Sequence, residues 1–252
     1  MMRSFLAAIQ FLTVFPLPDS VVTDEKDLAR SIYYFPIVGL LLGGFAAAFD
    51  YGFGFLLPPL ARSVLVILAL LLMSGGLHLD GLADTADAFF SSRPRERMLE
   101  IMKDSRTGPM GVAAVVCILA LKITLLASIS GSMRSGVILL TPLAGRCALL
   151  VMLEMLPYAR PEGGICSVFL AKRSPFLAVW ALIVMLVAGY SAAQWIGLTV
   201  GITTMAATFL MALYTYRKIG GFTGDTLGAT SEVAEIVPSM VAAVWVFHGG
   251  LS

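Results

Sequence analysis

Charge is scarce in this sequence: Asp, Glu, Lys and Arg supply 13% of its 252 residues, against about 25% in a soluble globular domain. So little charge excludes a water-facing surface over the whole molecule, and lipid must solvate much of it. Cysteine is scarce too. Cys117, Cys147 and Cys166 are odd in number and scattered, which excludes a paired disulfide framework and gives no metal-ligand spacing. They read as small apolar residues. The 17 basic residues nearly balance the 16 acidic ones, so net charge calls for no nucleic-acid partner. Alternation of polar and apolar residues is missing, and open strand edges cannot face lipid. An internal repeat of the kind many transporters carry is missing as well. What is present is apolar: 58% of residues are hydrophobic and mean hydropathy is +0.90. The expected fold is all-α, a polytopic integral membrane helix bundle forming one domain over residues 1–252.

Six segments are each near the length that crosses a bilayer: residues 34–57, 60–77, 108–129, 137–156, 175–190 and 194–214. A seventh, 236–251, is shorter, so six to seven spans are expected. At the N-terminus, Arg3 precedes an apolar run from Phe5 to Phe15, which Pro16 and Pro18 end without a small-residue cleavage site. The run is shorter than the roughly 20 residues a span needs. Residues 1–18 therefore read as an interfacial or re-entrant helix.

The connections fall alternately into two sets. Those at 58–59, 131–136 and 190–194 are short, and they and their flanks carry only Arg62 and Arg134 as bases. Those at 18–31, 80–107, 158–174 and 215–235 hold most of the other basic residues and nearly every acid. The excess of Lys and Arg places the long set and the N-terminus in the cytoplasm. Segment 80–107 is the expected active-site loop and 215–235 a second active-site segment.

The strongest local signal is His78-Leu-Asp80-Gly-Leu-Ala-Asp84-Thr-Ala-Asp87. On a helix, Asp80, Asp84 and Asp87 sit at i, i+4 and i+7 and share one stripe. Carboxylates so placed repel unless a cation neutralises them, and hard oxygen ligands suit Mg²⁺. A merely solvated helix end would set these acids against the macrodipole. His78 points to another side of the helix and reads as a packing residue. Next, Lys103 and Arg106 offer partners for phosphate oxygens. Asp104 between them offers a metal ligand or a base, and Gly-Pro-Met-Gly at 108–111 opens a span whose amides favour an anion. Juxtamembrane anchoring is the plainer account of the same bases. Third, Asp225 and Glu232 are i and i+7 among Gly220, Gly224 and Gly228, which permit close backbone approach. Arg217 and Lys218 precede them. Of the charges inside spans, Arg146 is expected to face the bundle interior with Glu154 two turns away, while Asp50 and Lys122 are left unassigned.

These blocks together make the sequence similar to the cobalamin synthase family, the adenosylcobinamide-GDP ribazoletransferases. The likeness runs nearly end to end, through QFLTVFPLP at 10–18, YFPIVG at 34–39, GLHLDGLADTADAF at 76–89, MKDSRTGPMG at 102–111 and GFTGDTLGA at 221–229. The resemblance implies a Mg²⁺-dependent transfer in the bacterial inner membrane. The cobinamide phosphate of adenosylcobinamide-GDP is joined to α-ribazole or α-ribazole 5′-phosphate, GMP leaves, and adenosylcobalamin or its 5′-phosphate results. On charge, the metal would be held by Asp80, Asp84 and Asp87 with Asp225 and Glu232. Lys103, Arg106, Arg146, Arg217 and Lys218 would meet substrate. Asp80, Asp84 or Asp104 would serve catalysis, with Asp104 or a cluster aspartate taking the hydroxyl proton. A homo-oligomer is compatible with such a chain.

Two other readings stay open. A CDP-alcohol phosphotransferase also begins its metal motif with Asp-Gly, but Asp84 stands where that family's usual signature has Arg. A small-molecule transporter would carry its polar residues near the midplane, whereas the acids here gather toward one end.

Overall fold

The computed structural model describes residues 1–16 and 24–249. The expectations touching Pro18 and the end of the seventh span lie outside the described residues. The chain runs through α1 (Met2–Leu12), α2 (Glu25–Ser31), α3 (Phe35–Phe53), α4 (Pro59–Met73), α5 (Leu77–Phe89), α6 (Arg95–Ile101), α7 (Pro109–Ala127), α8 (Gly131–Met155), α9 (Leu177–Ile219) and α10 (Gly224–Phe247). Short 3-10 turns cover Ile32–Tyr34 and Ile165–Lys172. Proline stands in the first turn of α3, α4 and α7, where its missing N–H costs no helix bond. Among the described residues the only strand-like pairing is one isolated bridge, Tyr158 with Phe222. The protein is an all-α polytopic bundle: five helices are long and apolar enough to cross a membrane, or six if α4 and α5 count as one bent span.

α8 is the axis. Its most apolar stretch is 94% buried, against 22% for that of α7, so α8 is enclosed by protein while α7 turns most of its surface to lipid. α3, α9 and α10 pack around α8. Outward-facing Leu41, Phe45, Val116, Val187 and Leu210 remain exposed, as lipid-facing positions should. α9 is two helical arms. Ala193 and Gln194 have non-helical backbone angles, and the backbones of Gly189 and Gly197 touch. Eight residues of straight helix would hold them about 12 Å apart, so the chain reverses here. The two arms correspond to the spans expected at 175–190 and 194–214.

Two departures from the expected spans have clear causes. α4 is followed at Gly75–Gly76, both with positive φ, by a 91° bend into α5. α5 therefore lies across the end of the bundle, and helices α5 and α6 occupy much of the segment read as a loop. The last helix begins at Gly224, not near residue 236. Glu232 and Glu235 interrupt the apolar run in sequence, but in the bundle both carboxylates meet Lys122 Nζ at 2.7 Å, so the helix carries on through them. Thr223 and Thr226 close its start in a reciprocal capping box.

The sparsely charged end is held by one buried clasp. Arg134 donates to both oxygens of Asp50 at 2.8–3.1 Å, to Ser63 Oγ at 3.1 Å and to the Leu126 carbonyl at 2.6 Å. This joins α3, α4, α7 and α8 at a single guanidinium. Arg134→Met would strip Asp50 of its close hydrogen-bonded partner and leave only Arg62, 3.5 Å away, to oppose its buried charge, so the variant should be clearly destabilised. Thermal unfolding in detergent should show a clearly lower midpoint for the single variant and substantial recovery for Arg134→Met combined with Asp50→Leu. A single variant as stable as the parent would refute the clasp.

Candidate active site at the acidic end of the bundle

α5 meets α10 almost backbone to backbone. A Cβ on Gly81 would come within 2.7 Å of the Asp225 carbonyl oxygen, and one on Gly228 within 3.0 Å of the His78 carbonyl oxygen. Hydrogen at both positions lets the two helices touch, which brings the first turn of α10 against the Asp80–Asp84 turn of α5. Asp225, distant in sequence, thereby joins the cluster. Because α5 lies along the face of the bundle, its acids stay outside the spanning segments. Partial burial, with Asp80, Asp225 and Asp87 nearby, pushes the carboxyl of Asp84 up to about 7, and Arg160 opposes the shift.

Arg160 is the cleft residue that sequence reasoning missed. Its Nη2 donates to Asp225 Oδ2 at 2.7 Å, and Thr223 Oγ1 donates to the same oxygen at 3.2 Å. The bridge between Tyr158 and Phe222 makes this meeting: Ala159 N–H donates to the Phe222 carbonyl and Phe222 N–H to the Pro157 carbonyl, both at 2.8 Å. No spacing along the chain announces such a pairing. Asp80, Asp225, Tyr158 and Arg160 open onto one cleft of about 900 Å³ including its mouth.

The other expected site residues are placed as follows. Asp87 accepts from Gly108 N–H at 2.6 Å and Gly111 N–H at 2.8 Å, so both oxygens cap the start of α7. Asp104 is bound by Arg106 through two side-chain bonds of 3.0 and 2.7 Å, and that pairing holds its carboxyl at about 2. Lys103 is paired with Glu162 on the surface. Lys218 donates to the Phe89 carbonyl at 2.8 Å, and so closes the end of α5, while Arg217 is exposed. Glu232 lies about 10 Å along α10 from Asp225 and is drawn to Lys122. Arg146 faces the bundle interior, as expected, and pairs there with Glu235, while the Glu154 carboxylate accepts from Ala178 N–H at 2.6 Å. His78 is buried beside Lys122, Arg146, Glu232 and Glu235, in a packing position.

The structure thus gathers Asp80, Asp84 and Asp225, and sets Asp87, Glu232 and Arg146 into structural contacts. Among the described residues no group of three or more His, Cys, Asp or Glu side chains closes into a ready cation cage.

Comparison with known proteins gives one consistent result. The family model described as cobalamin-5-phosphate synthase matches residues 4–243. An adenosylcobinamide-GDP ribazoletransferase of Desulforamulus reducens is 39% identical over 239 residues, covering 93% of this chain and 94% of the relative. The protein of the same name from Clostridium novyi is 38% identical over 237 residues, 94% of each chain. That of Herpetosiphon aurantiacus is 39% identical over 250 residues, 98% of this chain and 99% of the relative. No solved structure matches.

The cap by Asp87 can be checked directly. Asp87→Ala should destabilise the start of α7 by about 0.5–2 kcal/mol, the range for losing an acidic cap. Hydrogen exchange should then speed up at the amides of residues 108–111. Unchanged exchange there would show that Asp87 is free for another role.

Proposed function

The chain belongs to the cobalamin-5-phosphate synthase family, and from that premise we propose that it joins adenosylcobinamide-GDP to α-ribazole or α-ribazole 5′-phosphate with release of GMP. It is a transferase, as its relatives' names state of them. One observation carries the reading to a place in the fold: Asp80 and Asp225 line one cleft with Arg160, and Asp84 lies near enough for the charges of all three to act on it.

The chemistry follows from charge. A sugar hydroxyl of the acceptor attacks the phosphorus on the corrinoid side of the pyrophosphate, the bond from that phosphorus to the GMP oxygen breaks, and the hydroxyl proton passes to a carboxylate. Asp80 or Asp84 suits that last role better than Asp104, whose pairing with Arg106 makes it a weak base. Mg²⁺ held by one or two of Asp80, Asp84 and Asp225, together with the substrate's phosphates, would neutralise charge on the departing phosphate. Lys103 and Arg106 sit in exposed ion pairs, which water screens and which contribute little to stability. A phosphate can displace Glu162 and Asp104 from them at little cost. Arg160 flanks the same cleft and orients Asp225. The clustering of basic residues at this end supports a bacterial inner-membrane protein with its site facing the cytoplasm.

The test is GMP release from adenosylcobinamide-GDP by purified protein, with α-ribazole present or absent and Mg²⁺ supplied or chelated. Release should need both. Asp84→Asn should remain folded in membranes and lose turnover by about two orders of magnitude. Parent-like turnover by that variant at limiting Mg²⁺ would sink the metal assignment.

A further inference from the structure

The enclosure of α8 has one opening. From Gly136 to Leu153 every residue of the helix is buried except Leu139. The cause lies in its neighbours: α3 and α9 both pack against α8 but barely touch one another. A slot therefore runs between α3 and the first arm of α9, with Leu139 at its floor. Leu40 of α3 forms one wall, and Trp180, Ile183, Val187 and Ser191 of α9 form the other.

This slot lies in the lipid-facing surface, and its length is informative. Trp180 and Ser191 are about 16 Å apart along the helix, close to one leaflet of a hydrocarbon core about 30 Å thick. At the acid-rich end, Trp180 Nε1 donates to the Tyr33 carbonyl at 3.0 Å, and the Tyr33 hydroxyl donates to the Lys172 carbonyl at 3.4 Å. A Trp and a Tyr so joined mark the level of the headgroups. Lys172 and Arg173 stand beside them, both exposed. Among the described residues neither forms an ion pair, and the Arg173 side chain meets only a carbonyl, that of Glu154. An apolar slot one leaflet deep, ending at two cations without counterions, matches an acyl chain that carries a negative headgroup. A zwitterionic lipid would bring a cation of its own against them.

We propose that this slot holds one anionic phospholipid, with an acyl chain over Leu139 and the phosphate on Lys172 and Arg173. The lipid site is separate from the acidic cleft, yet the two share a wall. The turn Ile165–Lys172 lines the cleft through Ile165, Cys166 and Phe169 and ends where the headgroup binds.

Native mass spectrometry of the purified full chain in detergent, titrated with phosphatidylglycerol or phosphatidylcholine of the same acyl chains, tests this. The first phosphatidylglycerol should bind about tenfold more tightly than the first phosphatidylcholine. Lys172→Glu with Arg173→Gln should bring the two lipids to parity. Lys172→Glu alone, which leaves the Arg173 bond to Glu154 in place, should already lower the preference. Ile183→Trp, at an exposed position in the slot, should weaken binding of both lipids. Equal affinity of the parent for the two, as an unselective boundary lipid gives, would overturn the proposal. So would a preference that survives the double charge variant, or binding that Ile183→Trp leaves unchanged.

Discussion

Glu232 and Glu235 can lie inside the apolar bundle only because Lys122 and Arg146 meet them there. Lys122 reaches both carboxylates from α7, and Arg146 reaches Glu235 from α8. Two bases and two acids thus cancel within a buried region that also holds His78. Taking any one of these charges out of water alone costs several kcal/mol. Their mutual neutralisation lets α10 run uninterrupted from Gly224, and the start of α10 carries Asp225. The geometry of the acidic end therefore depends on a set of contacts deeper in the bundle that never touch the cleft.

Above that anchor, the site is made by an unusual placement. α5 turns through 91° and lies across the bundle end, so its acids face water along one side and α10 along the other. The glycine contact then fixes how near the two acidic turns come. The result is an accumulation of negative charge that the protein offsets only in part, through Arg160. Under the proposed reaction, such unbalanced charge would be completed when a cation arrives with the pyrophosphate. At the other end, the buried carboxylate of Asp50 is met by Arg134 and, at 3.5 Å, by Arg62, so its charge is answered within the protein, as befits a structural contact.

Local pattern was legible in the sequence, and long-range pairing was not. The apolar runs gave the spans closely, including the break between the two arms of α9, because hydropathy records what lipid requires. The common stripe of Asp80 and Asp84 followed from helical spacing. The start of α10 was misplaced because a hydropathy reading treats Glu232 and Glu235 as the end of a span. Their partners sit on other helices, and nothing in the sequence near residue 235 names Lys122 or Arg146. Arg160 was read only as a topology marker for the same reason, since the bridge from Tyr158 to Phe222 creates its role. Asp87 showed the opposite limit. Its spacing was right for the acidic stripe, yet the start of α7 claims both its oxygens.

The buried charge cluster also bears on how the protein is made. Lys122 and Arg146 leave the ribosome before Glu232 and Glu235, so α7 and α8 enter the membrane carrying cations whose counterions do not yet exist. Until α10 arrives, those side chains must reach toward the headgroups or hold water in the bundle. Closure of the core and assembly of the acidic site therefore both wait on α10, which carries the counterions and Asp225 alike.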